Sequence, residues 1–289
     1  MNDQEKDLPN WEQATFKNSV IFAWIVSEHP EVCLELLQLI LPELAVTEIF
    51  EVISEYTQKA SLKNHGVRFD VYTEDDRGRM FDLEMQVVDQ HDLSKRISYY
   101  QSNLVRRALA SGCAYNEKAD TYVIFICDFD YGRSGLPLYS TKMILHENRK
   151  VLDTGVHNII LNIKSNKLSL VSKRLAAFLN YLASSKVIDD FTRKLDELVT
   201  ELKTDTRKKD HYMEYKQEIA SLKAYIREET RKETREATQK EEREKTISVM
   251  IKKMVAKGYD RQKTLATILE FTNYSAPEVS EIYDKLLVK

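Results

Sequence analysis

Glycine and proline are scarce in this chain of 289 residues, occurring 7 and 5 times. That excludes a fold made of many tight turns and favours long uninterrupted elements. Cysteine is scarcer still. Cys33, Cys113 and Cys127 are odd in number, scattered and without metal-ligand spacing, which excludes a disulfide framework and suits free thiols in a reducing compartment. The six histidines form no ligand motif and read as ordinary surface or core residues. Long hydrophobic runs are absent: the longest, Val20 to Val26, is much too short to span a bilayer, and the opening MNDQEKD is acidic rather than signal-like. A cytoplasmic protein with no membrane partner is therefore expected. An excess of positive charge is also missing. The formal net charge of -3 and pI near 6.1 argue against broad non-specific attraction to nucleic acid and leave room for a local site.

What the chain has is charge of both signs and enough length to bury one sizeable core, alone or with a smaller appended unit. Its most informative stretch runs from Val67 to Val87. Val67, Phe69 and Val71 alternate with Arg68, Asp70 and Tyr72, and Phe81, Leu83, Met85 and Val87 alternate with Asp82, Glu84 and Gln86. A period of two predicts half-buried strands, and Asp75-Asp76-Arg77-Gly78 between them predicts a tight turn, hence a hairpin. With Glu74 paired near Arg79, Asp70 falls roughly opposite Leu83 and Glu84, and a small register shift or bulge brings the two carboxylates together across the ladder. Acids so close repel unless a cation lies between them, and a hard divalent ion accepts a few carboxylate oxygens, water and a substrate phosphate.

Asp70, a hairpin and then Glu84-Met85-Gln86 resemble the core motif of the PD-(D/E)xK nuclease superfamily, with Gln where that superfamily more often has Lys. More narrowly, Phe69-Asp70-Val71-Tyr72, the Asp-Gly turn and Phe81-Asp82-Leu83-Glu84-Met85-Gln86 resemble the Rpn family of recombination-promoting nucleases and transposases. The likeness continues through Arg96 with Tyr99-Tyr100, Tyr122 to Cys127 and Leu161-Asn162 into the charged tail. It implies an α/β, restriction-endonuclease-like core, a mixed sheet flanked by helices, with a long helical C-terminal extension. It also implies a Mg²⁺-dependent DNA endonuclease, with Mn²⁺ or Ca²⁺ as other candidate ions. Asp70, Glu84 and the Met85 carbonyl would hold the metal, and Gln86 would position a water or a phosphate oxygen. Asp82 shares the face and can assist or serve only the strand. In the resembling family an acid three positions before Phe-Lys helps to bind the metal. Here Phe16-Lys17 match and that position is Gln13, so the neighbouring Glu12 either substitutes or merely complements the helix dipole.

The remaining elements follow in order. Helices are predicted at 11–27 and 31–41, the second stopped by Pro42, with a first strand at 48–55. The polar loop 56–66 carries Lys63 and His65, either phosphate contacts or solvated side chains. A helix at 94–111, closed by Gly112, puts Arg96, Tyr99, Asn103 and Arg106 on one face; Arg96 and Tyr99 can touch the DNA backbone, orient Gln86 or simply pack their stems. Thr121 to Cys127 reads as a buried central strand, Asp128 to Gly132 as a turn in preference to a second metal site on its two acids, 138–145 and 156–163 as further strands, and 171–182 as a helix over the sheet. From Asp189 the pattern is helical. A repeat beginning at Arg227, Arg231 and Arg235 has no apolar seam, so 201–246 reads as a solvated helical spacer between a nuclease-like core at 1–200 and a small three-helix module at 247–289. That module could read DNA, yet Glu278, Glu281 and Asp284 make it a poor phosphate surface and favour packing, with a homo-oligomer assembled through the C-terminal helices. The alternative to the enzyme is a catalytically inactive nuclease fold acting as a nucleic-acid- or protein-binding module.

Overall fold

The computed structural model describes residues 8–54, 70–109 and 114–287. Lys63, His65, the stretch Val67 to Phe69, Gly112 and Cys113 lie outside them. The described residues form two compact units, Met1–Lys216 and Gln217–Lys289.

In the first unit a six-stranded mixed sheet has the order β1-β2-β3-β4-β6-β5. β1 (Ile53–Ser54), β2 (Val71–Glu74) and β3 (Met80–Gln86) are antiparallel neighbours. β3, β4 (Thr121–Cys127) and β6 (Val156–Asn162) run parallel, and β5 (Leu138–Ser140) closes the edge antiparallel to β6. Helices α1 (Ser19–Glu28), α2 (Pro30–Ile40), α4 (Lys173–Ser184) and α5 (Asp190–Thr204) cover one face, where Phe22, Leu36, Phe81, Leu83, Ile124 and Phe178 share a buried core. On the other face α3 (Leu93–Ala108) packs Leu93, Ile97 and Leu104 against Val123, Phe125 and Ile160. Helices on both faces of a sheet whose middle is parallel is the architecture the resemblance implied.

Local chemistry explains where the elements depart from expectation. The helix predicted over 11–27 is split into a 3-10 turn at Trp11–Gln13 and α1, because the Asn18 side chain accepts from the backbone N–H groups of Val20 and Ile21 at 3.1 and 3.3 Å and so caps a new helix. The strand predicted over 48–55 shrinks to Ile53–Ser54 plus a bridge from Ile49 to Asp75. That predicted over 138–145 shrinks to β5, the partly exposed edge. β4 is buried along its whole length, as its apolar run predicted.

The second unit contains most of α6 (Thr206–Ala256) with α7 (Arg261–Phe271) and α8 (Ala276–Leu287). Ile247 to Ala256 is not a separate helix but the end of α6, since no Gly or Pro interrupts the chain between 206 and 256. Ile247, Ile251, Ile268, Val279 and Ile282 make a small core of their own. Gly258, at φ +81°, follows the end of α6, and the Ser275 side chain accepts from the Glu278 N–H at 3.4 Å at the start of α8. Along the exposed repeat Glu228–Lys232 and Glu241–Lys245 pair at 3.7 and 2.6 Å. Among the described residues no helix is long and apolar enough to cross a membrane.

Candidate active site

The hairpin sets the geometry. Val71 pairs with Leu83, Tyr72 with Asp82, Thr73 with Phe81 and Glu74 with Met80. Glu74 thus lies one residue further along than the Arg79 pairing expected from sequence, and Asp70 comes directly opposite Glu84 with no bulge. The turn accounts for that residue. Gly78 takes φ +72° and donates its N–H to the Asp75 carbonyl, while Asp75 and Arg79 close the loop through backbone. The Asp75 carboxylate, fully buried, accepts from the N–H groups of Arg77 and Arg79 at 3.0 and 2.9 Å and from Arg79 Nε at 2.6 Å. Asp75 is therefore the hairpin's lock rather than only a turn residue.

Two crossed hydrogen bonds then tie the strands. The Asp70 N–H donates to Glu84 Oε1 at 2.9 Å, and the Met85 N–H donates to Asp70 Oδ2 at 3.0 Å. Asp82 lies on the same face, wholly buried, with the Glu84 carboxyl as its hydrogen-bond neighbour. β3 is not half-buried, as its alternation predicted, because α3 covers the polar face and leaves Glu84 only 2 % exposed. Burial pushes the Asp70 carboxyl up to about 6, against the Met85 N–H and the charge of Arg96. Burial first, and then the charge of Asp70, raises Asp82 and Glu84 well above the ordinary carboxylate range, and Asp82 raises Glu84 further.

Arg96, on the first turn of α3, faces this cluster. Its Nη1 donates to Gln86 Oε1, its Nη2 is 3.7 Å from Glu84 Oε2 and 3.4 Å from the Tyr100 hydroxyl, and its guanidinium carbon stands 5.6 and 5.7 Å from the ring centres of Phe125 and Tyr100. Gln86 Nε2 donates to the Val88 carbonyl at 2.7 Å, so both ends of that amide are engaged by the protein. Tyr99 projects outward, 46 % exposed, with Lys95 and Arg106 exposed on the same helix. Glu12 stands apart. It is exposed and pairs with Lys209 at 2.8 Å, and its carbonyl accepts from Lys203.

Sequence reasoning assigned Asp128 to a turn and missed its two lysine partners. Asp128, whose N–H donates to the Gln86 carbonyl at 3.0 Å, pairs with Lys17 at 2.8 Å and has Lys164 Nζ at 3.2 Å. The available signal was an acid ending a fully buried strand at the same sheet end as Gln86, together with the matched Phe16-Lys17. Asp130 serves the predicted turn, accepting from the Tyr139 hydroxyl at 2.5 Å and the Gly135 N–H at 2.7 Å. The buried thiols of Cys33 and Cys127 are free, and burial pushes both up to about 12, so neither is a nucleophile at neutral pH.

The donor chemistry fits a hard divalent cation. Two carboxyl groups meet at one end of the hairpin, a third acid lies beside them, and burial raises all three above the ordinary carboxylate range. Among the described residues no group of three or more His, Cys, Asp or Glu side chains is gathered as a ready-made cage. The arrangement suits an ion that keeps water and substrate oxygens in its shell.

A family model described as PD-(D/E)XK nuclease family transposase matches residues 17–255. The chain belongs to this family. No curated protein and no solved structure matches it. The matched stretch takes in the hairpin, α3, both lysines on Asp128 and most of α6, and stops short of α7 and α8. Nucleases of this family generally use divalent metals, and DNA is the substrate that membership implies.

Proposed function

We propose that the protein is a divalent-metal-dependent DNA endonuclease with a transposase or recombination-promoting role, acting in the cytoplasm. The observation that supports this most is the direct opposition of Asp70 and Glu84 across the hairpin, tied by two crossed hydrogen bonds. Asp70, Glu84 and the Met85 carbonyl would hold Mg²⁺, which when bound supplies an activated water and stabilises charge on the phosphodiester. The chain's own part is positional. The strand register fixes the spacing of the two carboxylates, α3 keeps bulk water from their inner side, and Gln86 orients the Arg96 guanidinium. Lys95, Tyr99 and Arg106, exposed on α3, supply contacts for the DNA backbone. Assembly of copies through the C-terminal helices belongs to the same reading, supported by Phe271 and Val249, which stay 78 and 50 % exposed.

Plasmid cleavage with Mg²⁺, Mn²⁺ or Ca²⁺ tests the proposal. Wild type is expected to nick or linearise supercoiled DNA, and Asp70→Ala and Glu84→Ala to lose at least a hundredfold in rate. DNA binding without cleavage by any form would instead support the second reading, a catalytically inactive binding module, which the absence of Lys at position 86 favours.

A further inference from the structure

Among the described residues one cation faces the buried carboxyl groups of Asp82 and Glu84 and the half-buried Asp70. Arg96 acts on Asp70, Asp82 and Glu84 alike, whereas Lys17 and Lys164 are committed to Asp128. The way Arg96 is held matters more than its charge. Glu84 Oε1 accepts from the Asp70 N–H, so Oε2 is the oxygen with more room for an incoming metal, and Oε2 is the one Arg96 Nη2 approaches at 3.7 Å. A divalent ion and Arg96 therefore compete for one atom. At 3.7 Å the guanidinium is an ion-pair partner of Glu84 and not hydrogen-bonded to it, so it can leave that oxygen while its hydrogen bond to Gln86 Oε1 tethers it. Its planar group rests on the rings of Phe125 and Tyr100 and is steered by Gln86 Oε1. It still has donors to spare out of five, and its side chain keeps 26 % of its surface in contact with solvent.

We propose that Arg96 is a two-position residue: it lies against Glu84 Oε2 while no metal is bound, and it grips the scissile phosphate once a divalent ion has taken Glu84. The inference rests on the metal-nuclease reading of Asp70 and Glu84. A phosphodiester is the anion that fits, because a displaced guanidinium offers parallel N–H donors that two phosphate oxygens accept together. Gln86 becomes the positioning residue between the two places, and the cation that the hairpin lacks at position 86 comes from α3 instead.

The test has two readouts of opposite sign. Ca²⁺ is titrated calorimetrically into wild type and Arg96→Gln without DNA, and binding of a short labelled duplex is followed by anisotropy in Ca²⁺ and in EDTA. Arg96→Gln is expected to bind Ca²⁺ several-fold more tightly, since the competitor is gone. It should bind the duplex roughly tenfold more weakly in Ca²⁺, with a much smaller loss in EDTA. Tighter Ca²⁺ binding with unchanged duplex affinity would mean a counter-ion only and would overturn the proposal. So would an equal duplex loss in Ca²⁺ and EDTA with Ca²⁺ affinity unchanged, which describes a fixed phosphate contact. Arg96→Lys guards against misfolding: it retains the buried charge, so Ca²⁺ affinity should stay near that of wild type while duplex affinity in Ca²⁺ falls. Gln86→Lys combined with Arg96→Gln should recover that duplex affinity. Wild type that binds no Ca²⁺, or binds it equally after Asp70→Ala, would defeat the metal-nuclease reading itself. Ca²⁺ binding that depends on Asp70, with the Arg96 responses absent, defeats only the two-position role.

Discussion

Asp82 is the residue whose state depends most on what else occupies the site. Its carboxyl is wholly buried beside Asp70 and hydrogen-bonded with the Glu84 carboxyl. In the unfolded chain it releases its proton near pH 4, roughly. In the folded, metal-free protein burial and the charge of Asp70 keep it protonated to well above that. The folded state then binds more protons than the unfolded one, so stability falls as pH rises from about 4 towards the folded pKa. Asp70, raised to about 6, adds a fall of the same sign between about 4 and about 6. Asp82→Asn should therefore gain on wild type as pH rises, by about 1–3 kcal/mol between pH 4 and neutrality in EDTA. Urea unfolding at several pH values checks this, and a difference that does not vary with pH contradicts it. The sequence showed Asp70, Glu84 and Gln86 as a constellation because their order along a hairpin is distinctive. It could not show that Asp82 is wholly buried or that Gln86 is spent on Arg96 and Val88, since both depend on what α3 lays over the strand.

At the scale of elements the β2–β3 hairpin decides whether a site exists. A shift of one residue would turn Asp70 away from Glu84, and the Asp75–Arg79 lock with Gly78 in the left-handed region prevents it. Asp75→Ala leaves the nearly buried Arg79 guanidinium without its carboxylate and should cost about 3–5 kcal/mol. Gly78→Ala should cost about 1 kcal/mol, from backbone strain alone, because a Cβ there meets only Glu74 Oε1 at 3.8 Å. Denaturant midpoints measure both; a smaller loss for Asp75→Ala than for Gly78→Ala would show that the ion pair does not hold the register. Periodicity found the hairpin and the apolar run of β4, yet took β3 as half-buried. Alternation reports which residues are polar and not whether a helix covers them, so the face expected in solvent instead buries Asp82 and Glu84. Asn18 was equally hidden, since an apolar run says nothing of a cap inside its leading edge.

Across the whole molecule two units carry separate cores, and α6 belongs to both. Asp70, Asp82, Glu84, Gln86 and Arg96 all lie before residue 97, within the first unit. Tyr212, fully buried near the start of α6, donates to the Pro9 carbonyl at 2.9 Å and stands 5.3 Å from the Trp11 ring, which argues for keeping that part of α6 with the first unit. A chain ending at Lys216 should fold cooperatively and bind divalent metal as the full chain does, whereas one ending at residue 200 loses Tyr212 and should be several kcal/mol less stable, about the cost of removing a buried aromatic. Thermal unfolding of the two fragments separates these outcomes, and equal stability would remove Tyr212 from the core's account. All three scales meet at Asp70 and Glu84. The measurement that tests them most directly is calorimetric titration of Mn²⁺ into wild type, Asp70→Ala and Glu84→Ala. Binding by wild type and at least a tenfold loss in each variant is the expected result; no binding, or binding indifferent to both substitutions, would contradict the assignment of this hairpin as a metal site.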